Sequence, residues 1–207
     1  MVKVVKQTDR GKPMKFGVST FVNDDSIDTV TLARAIEERG FESLVVAEHT
    51  HIPASRESPS PTGGELAHFY YRTLDPFVTL AAAAAVTSKI ELFTGIALLI
   101  ERDPIITAKE AASIDLISGG RFVFGVGAGW NIEELRDHGT DPKTRGALLD
   151  ERIEAIKAIR VAPRVGARVP ILSRDVADGG NRFEGDFGRR HRRFRTGLSS
   201  RLAVTNI

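Results

Sequence analysis

Apolar residues along the first 159 positions recur in two alternating rhythms, short near-continuous runs and longer stretches with a three-to-four spacing. "KFGVSTF", Lys15 to Phe21, is a short β-type run. Ser26 then caps a helical stretch in which Ile27, Val30, Leu32, Ala33 and Ile36 form one apolar stripe, and Gly40 ends it. "SLVVAEH", Ser43 to His49, is apolar almost throughout, the pattern of a strand buried on both faces. A polar segment rich in proline and glycine, Pro53 to Arg72, reads as an excursion loop. Three Asp-Pro pairs follow, Asp75-Pro76, Asp103-Pro104 and Asp141-Pro142. Each places a capping carboxylate before a proline suited to the first helical turn. The strands "IELFTGIAL" (Ile90 to Leu98) and "RFVFGVG" (Arg121 to Gly127) lie between them. A last helical pattern runs through Leu148, Leu149, Ile153, Ile156 and Ile159, and the alanine run Ala81 to Ala85 suits close helix packing.

Four strands alternating with four helices predict an α/β fold with a parallel sheet and right-handed crossovers. Two architectures compete. A dinucleotide-binding fold wants G-x-G-x-x-G at the first strand–helix turn and an acid about 20 residues on. Here that turn is "STFVNDDS", without glycine; the glycines come at the fourth strand as Gly125, Gly127 and Gly129, and Asp150 sits inside a helical pattern. The dinucleotide reading fails. A (β/α)8 barrel puts its chemistry at the carboxyl ends of the strands. Ser19-Thr20, Glu48-His49, Thr94-Gly95 and Gly127 to Asn131 all fall at such ends. Small residues there let a flat ring approach the backbone.

Charge divides the chain. Residues 1–159 carry 18 Lys+Arg against 23 Asp+Glu, and residues 160–207 carry 11 Arg, no Lys and 4 acids. The basic end could be an arm for nucleic acid, but its exclusive use of arginine and its lack of any sustained period argue against that partner. An irregular tail read from a shifted frame fits better. The longest apolar run, "FVTLAAAAAV", is too short to span a bilayer. With no cysteine there are no disulfides and no thiolate metal ligands, and a cytoplasmic location is the default.

"GFESLVVAEHTHIP", "RTLDPFVTLAAAAAVTSKIELFTGIALL", "RDPIITAKEAASIDLISGGRFVFGVGAGWNIEEL" and "HGTDPKTRGALLDERIEAIKAI" together resemble the luciferase-like monooxygenase superfamily, in particular its deazaflavin-dependent branch. The resemblance covers Met14 to Ile159. It implies a (β/α)8 barrel that binds coenzyme F420, or alternatively FMN, at the strand ends. It also implies hydride transfer between the reduced cofactor and a small organic substrate. On this basis His49 and Glu48 are the catalytic candidates, a histidine titrating near neutrality being suited to the proton that accompanies a hydride. Neighbouring strand residues alternate, so Glu48 either holds the His49 tautomer or faces away. The resemblance places a backbone bulge at Thr94, Gly95 and Ile96 behind the ring, and gives Gly127, Gly129 and Asn131 to the cofactor; Asn131 equally suits a helix cap. Trp130 stands where the sugar-phosphate dehydrogenase branch has a glutamate, which points to an apolar or aromatic substrate face shared with Ser19. Tyr70, Tyr71 and Arg72 suit a lid. His49 and His51 form a candidate metal pair without further ligands, so no metal is expected.

A complete barrel takes about 250 residues, and four βα units at roughly 30 residues each do not fit into positions 160–207. The expectation is therefore a 1–13 extension, the N-terminal half of a barrel at 14–159, and an irregular basic tail at 160–207. The first and fourth strands would be open edges, inviting an inactive fragment or a homodimer through those edges.

Overall fold

The computed structural model describes residues 2–7, 15–161, 171–174 and 183–185, with side chains for 15–159. Its elements in chain order are β1 (Val2–Gln7), β2 (Lys15–Thr20), α1 (Thr29–Glu38), β3 (Ser43–Val46), α2 (Pro76–Val86), β4 (Glu91–Thr94), β5 (Ala97–Leu98), α3 (Pro104–Ser118), β6 (Phe122–Gly127), α4 (Ile132–Asp137), α5 (Arg145–Val161), β7 (Ile171–Arg174) and β8 (Phe183–Gly185). Among the described residues the strands run β1-β2-β3-β4-β6-β7-β8, with β5 also beside β6. From β2 to β7 every pairing is parallel, as the βα alternation predicts.

The two faces of the sheet are unequal. Leu44, Val46, Leu92, Phe122 and Phe124 pack with Leu32, Ile36, Leu80 and Ala83 of the helices in one continuous core. The other face carries a small cluster, Val45, Phe93 and Val123, which sit side by side in register across β3, β4 and β6. Adjacent strand residues thus serve the helix layer and the opposite face in turn.

Local chemistry explains the helix ends. Asp75 and Asp103 cap α2 and α3 by accepting from the amides of Val78 and of Ile105 and Ile106, with proline in each first turn. Caps of this kind stabilise a helix by about 1 kcal/mol. Helix α3 stops at Gly119, whose φ of 67° is the left-handed conformation that glycine adopts without a Cβ penalty. Two expected starts move. Asp28, not Ser26, caps α1 by accepting from Thr31 N, because the Ser26 hydroxyl is held in a turn with Asn23. Asp141 closes a turn over Lys143 and Thr144, and α5 begins only at Arg145.

The strand expected over Ile90 to Leu98 is broken. Between β4 and β5 the Gly95–Ile96 peptide is cis, and the segment shifts its pairing along β6: Leu92 and Phe93 lie opposite Phe122 and Val123, whereas Ala97 and Leu98 lie opposite Val126 and Gly127.

The edges also differ from expectation. β1 lies within the 1–13 extension and pairs antiparallel with β2 along its whole length, from Val2 opposite Thr20 to Gln7 opposite Lys15. On the other side β7 adds a parallel strand to β6, and β8 folds back on β7. The edges expected to be open at the first and fourth strands of the half-barrel are therefore both paired within the chain, and β1 and β8 become the outer strands among the described residues. Strands of three or four residues satisfy their backbone groups without leaving a readable period. The remainder of the basic tail, and the shifted-frame reading of it, lie outside the described residues.

Candidate active site

The strand ends on one side of the sheet converge on His49. Three residues past β3, its Nδ1 lies 2.7 Å from Oε2 of Glu134 on α4, and both side chains are almost completely buried. Burial opposes the charge of Glu134. The His49 ring and the amides of Thr50 and His51 outweigh it and hold the carboxyl below its ordinary range. A carboxylate on Nδ1 fixes the ring's orientation and leaves Nε2 for chemistry. Around the imidazole stand Phe21 (6.5 Å, stacked), Tyr70 (5.2 Å, edge-on) and Trp130 (5.6 Å, edge-on). Burial raises the Tyr70 phenol. The result is a buried, carboxylate-backed histidine in an aromatic wall.

Glu48 faces away from His49. Its carboxylate accepts from the Leu98 amide at 2.6 Å and from Nε of Arg102 at 2.8 Å, with a second contact to the same guanidinium. Arg102 also bridges to Asp75 and lies 4.6 Å over the Phe77 ring. Glu48 therefore anchors Arg102, which ties the turn after β5 to the cap of α2, and it is Glu134 that bonds the His49 ring.

The glycine rim has a packing explanation at several positions. A Cβ on Gly127 would sit 2.1 Å from Cδ1 of Ile96, and one on Gly95 would sit 2.3 Å from Cγ1 of Val45. At Gly129, with φ at 72°, a Cβ would meet Leu98 at 3.0 Å. These glycines let the β4–β5 link lie close against β3 and β6, and the segment after β6 lie close to β5. Thr94 donates to the Gly125 carbonyl at 2.7 Å, so its hydroxyl is engaged by the protein itself. Asn131 is different. It is 1% exposed, makes no side-chain cap bond to α4, and neither its oxygen nor its nitrogen has a partner. Buried amides are rarely left so. Ser19 lies level with Val45 on the face away from the helices, one strand over.

His51 does not join His49 around a common centre. Its Nε2 lies 2.9 Å from Asp137 and its ring 5.5 Å from that of His138. Among the described residues no group of three or more His, Cys, Asp or Glu is placed to hold a metal, and no helix is long and apolar enough to cross a membrane. Of the lid candidates, Tyr70 joins the aromatic wall, Tyr71 is exposed, and Arg72 pairs with Asp24 and Asp25 after β2.

Sequence reasoning missed Glu134, Glu133, Glu101 and Arg102. Glu133 accepts from the amides of Glu57 and Ser58 and from the Ser58 hydroxyl. Burial works against its charge, yet these bonds hold its carboxyl down to about 2 and pin the excursion loop to α4. The available signal was the pair of adjacent acids in "NIEEL": two consecutive carboxylates on so short a helix face different neighbours, and both here turn inward.

The parallel sheet with its helix layer makes this an α/β fold, with a histidine-centred cluster at the strand ends. The sequence model of the luciferase-like monooxygenase family matches residues 14–196, past the expected limit at Ile159, and the chain belongs to that family. Uncharacterized protein Rv0953c of Mycobacterium tuberculosis is 46% identical over 149 residues, which is 70% of this chain and 53% of that protein. The 5,10-methylenetetrahydromethanopterin reductase of Methanopyrus kandleri is 30% identical over 116 residues, covering 56% of this chain and 27% of the reductase. Among solved structures, an F420-dependent secondary alcohol dehydrogenase in complex with an F420-acetone adduct superposes with a TM-score of 0.57 at 20% identity, over 70% of this chain and 47% of that one. The chain spans about half the length of the curated relatives it matches. Members of the superfamily are flavin- or F420-dependent oxidoreductases and monooxygenases that take small-molecule substrates.

Proposed function

We propose that this chain carries the proton-handling half of an F420-dependent oxidoreductase site, for hydride exchange between a reduced deazaflavin and a small apolar or aromatic organic substrate. The observation that carries the reading is the buried His49–Glu134 pair inside the wall of Phe21, Tyr70 and Trp130. When bound, the deazaflavin supplies the hydride. The residues present suit such a group: Asn131 offers a buried donor and acceptor without protein partners, and the strand-end backbone at Thr94, Gly95, Ile96, Gly127 and Gly129 would lie behind the ring, with the side chains of Val45 and Ile96 filling the space over Gly95 and Gly127.

His49 keeps the accompanying proton at Nε2 while Glu134 stabilises the imidazolium through Nδ1. Trp130 and Tyr70 exclude water from that nitrogen and favour an apolar substrate surface. Ser19 borders the same face, and Glu48 acts through Arg102 as a structural support. Residues 14–159 form the unit that holds this site, with 1–13 and 160–207 flanking it.

FMN in place of F420, with oxygen as co-substrate, is the second reading, and the monooxygenases of the family favour it. A non-catalytic fragment that is stable only as an oligomer is the third, favoured by the half-length match. The test follows reduced F420 by its absorbance, anaerobically, with a panel of apolar ketones and imines, alongside oxygen uptake with reduced FMN. Substrate-dependent F420 oxidation supports the proposal, and oxygen uptake confined to FMN transfers the assignment to the monooxygenase reading. Inertness in both assays leaves the fragment reading in place.

A further inference from the structure

The excursion loop that carries Tyr70 onto His49 is fastened at its two ends by contacts of opposite kind. At its start Ser58 is buried, and its amide and hydroxyl both donate to Glu133, which is itself buried. The same hydroxyl accepts from the Ile132 amide at 2.9 Å, so bonds shielded from water tie the loop to the first turn of α4. At its end Arg72 spans the carboxylates of Asp24 and Asp25 after β2, all three side chains being at least 40% exposed. His68 lies 3.7 Å from Asp25 on the same exposed side. Beyond Arg72 the chain is fixed again, Leu74 donating to the Val22 carbonyl at 2.9 Å.

Between these fastenings the loop has little to hold it. No residue from 59 to 75 is buried, and the short helical turn His68–Arg72 has no side-chain cap. Gly63 and Gly64 hold φ at 76° and 67°, with nothing beyond their chain neighbours within 4 Å of where a Cβ would stand. Glycine takes this conformation freely, and the empty space around the pair gives the segment a pivot with room to turn. The inward contacts are aromatic. The Phe69 and Tyr70 rings lie 4.8 and 4.9 Å from Phe21, and Tyr70 lies 5.2 Å from His49 and 6.1 Å from Trp130. A buried hydrogen bond to a carboxylate resists salt, whereas an exposed ion pair contributes little and weakens as ions screen it. The Arg72 fastening is the one that gives way.

We propose that residues 59–72 form a strap over His49 that releases at Arg72, turns about Gly63 and Gly64, and so admits a ligand to Nε2. Ser58 stays on Glu133 throughout. The inference rests on the reading of His49 as the residue that meets the substrate. Closed, the strap leaves His49 only 8% exposed and completes the aromatic wall. Open, it withdraws Phe69 and Tyr70 together, while Phe21 and Trp130, which belong to other segments, keep their places. The contact given up at His49 is aromatic, so a planar apolar ligand can take the place of Tyr70 against His49 and Trp130. Entry of the ligand and exclusion of water are thereby tied to one movement.

Carbethoxylation of the full chain by diethylpyrocarbonate, read residue by residue by mass spectrometry, tests the strap without cofactor or substrate. The reagent acylates a free imidazole nitrogen, so the rate at His49 follows the fraction of molecules in which the strap is open. In Arg72→Gln at low salt that rate should rise about two- to fivefold, the amount an exposed ion pair holds back. Wild type in molar sodium chloride should show a similar rise, and Arg72→Gln should gain nothing further from salt. His51, already 40% exposed, should react alike in both proteins, and the urea midpoint should stay at the wild-type value. Asp24→Asn with Asp25→Asn opens the same fastening from the other side and should reproduce the Arg72→Gln rate; it carries the comparison if Arg72→Gln does not fold. Equal His49 rates in wild type and variant overturn the proposal. So does a rise at His49 that comes only with a matching rise at His51 and a lowered midpoint, which is general loosening. Because no cofactor is used, failure of F420 to bind would end the cofactor reading while leaving these rates to be judged on their own.

Discussion

His49 and Glu134 stand 85 residues apart in the chain and 2.7 Å apart in the fold. One follows β3 and the other belongs to the short helix after β6, so only the parallel sheet with its helices on one side brings them together. Replacing Glu134 by leucine leaves the His49 ring and the amides of Thr50 and His51 without their acceptor. The expected cost is roughly 3–5 kcal/mol, read as a lower urea midpoint. The pH dependence follows from the direction of the shift. A carboxyl held below its ordinary range contributes stability that is present above 4.5 and lost as pH falls through the folded value. Glu134→Gln should therefore flatten the acid limb of the stability curve below pH 4.5.

Glu101 should act in the opposite sense. Its carboxyl is raised to about 9 from 4.5, so the folded state binds a proton that the unfolded chain has released. Stability falls as pH rises between these two values. Glu101→Gln should remove that slope and raise stability at pH 7 by on the order of 1–3 kcal/mol. Thermal unfolding of both proteins from pH 5 to pH 9 checks it; parallel curves would contradict the assignment.

Gly127→Ala drives a Cβ to 2.1 Å from Cδ1 of Ile96. Overpacking of this kind costs roughly 1–3 kcal/mol. Ile96→Val removes the offending atom, so the double variant should recover most of the loss. Additive destabilisation in the double-mutant cycle would show that the glycine serves something other than this contact.

Arg102→Met leaves the buried Glu48 carboxylate with only the Leu98 amide. Breaking a buried pair from one side typically costs about 3–5 kcal/mol. The double variant Glu48→Gln with Arg102→Met, which removes the charge on both sides, should be more stable than Arg102→Met alone. Chemical denaturation of the three proteins measures the difference.

The βα order was legible because strands buried on both faces and amphipathic helices leave different periods. The Asp-Pro pairs located the starts of α2 and α3 because both the cap and the missing proline N–H act locally. Asp141 misled because the same dipeptide also closes a simple turn. The break at Gly95–Ile96 left no trace in the periodicity of "IELFTGIAL", whose apolar run continues across the change of pairing; only the family resemblance placed a bulge there. His49 was legible as a polar residue leaving a buried strand. Its partner was not: Glu48 is nearer in sequence but points to the other face, and Glu134 becomes visible only when the third dimension places α4 over the end of β3. The strands β1 and β7 were hidden for a related reason, since backbone pairing demands no particular side chain.

We propose that the strand-end region bearing His49, Trp130 and Asn131 binds a flat redox cofactor. Fluorescence titration of the full chain with F420, and separately with FMN, tests it most directly. Saturable F420 binding in wild type, weakened at least about tenfold in Asn131→Leu by loss of hydrogen bonds to the buried amide, is the predicted result. No saturable change with F420, or binding that Asn131→Leu leaves untouched, would contradict it.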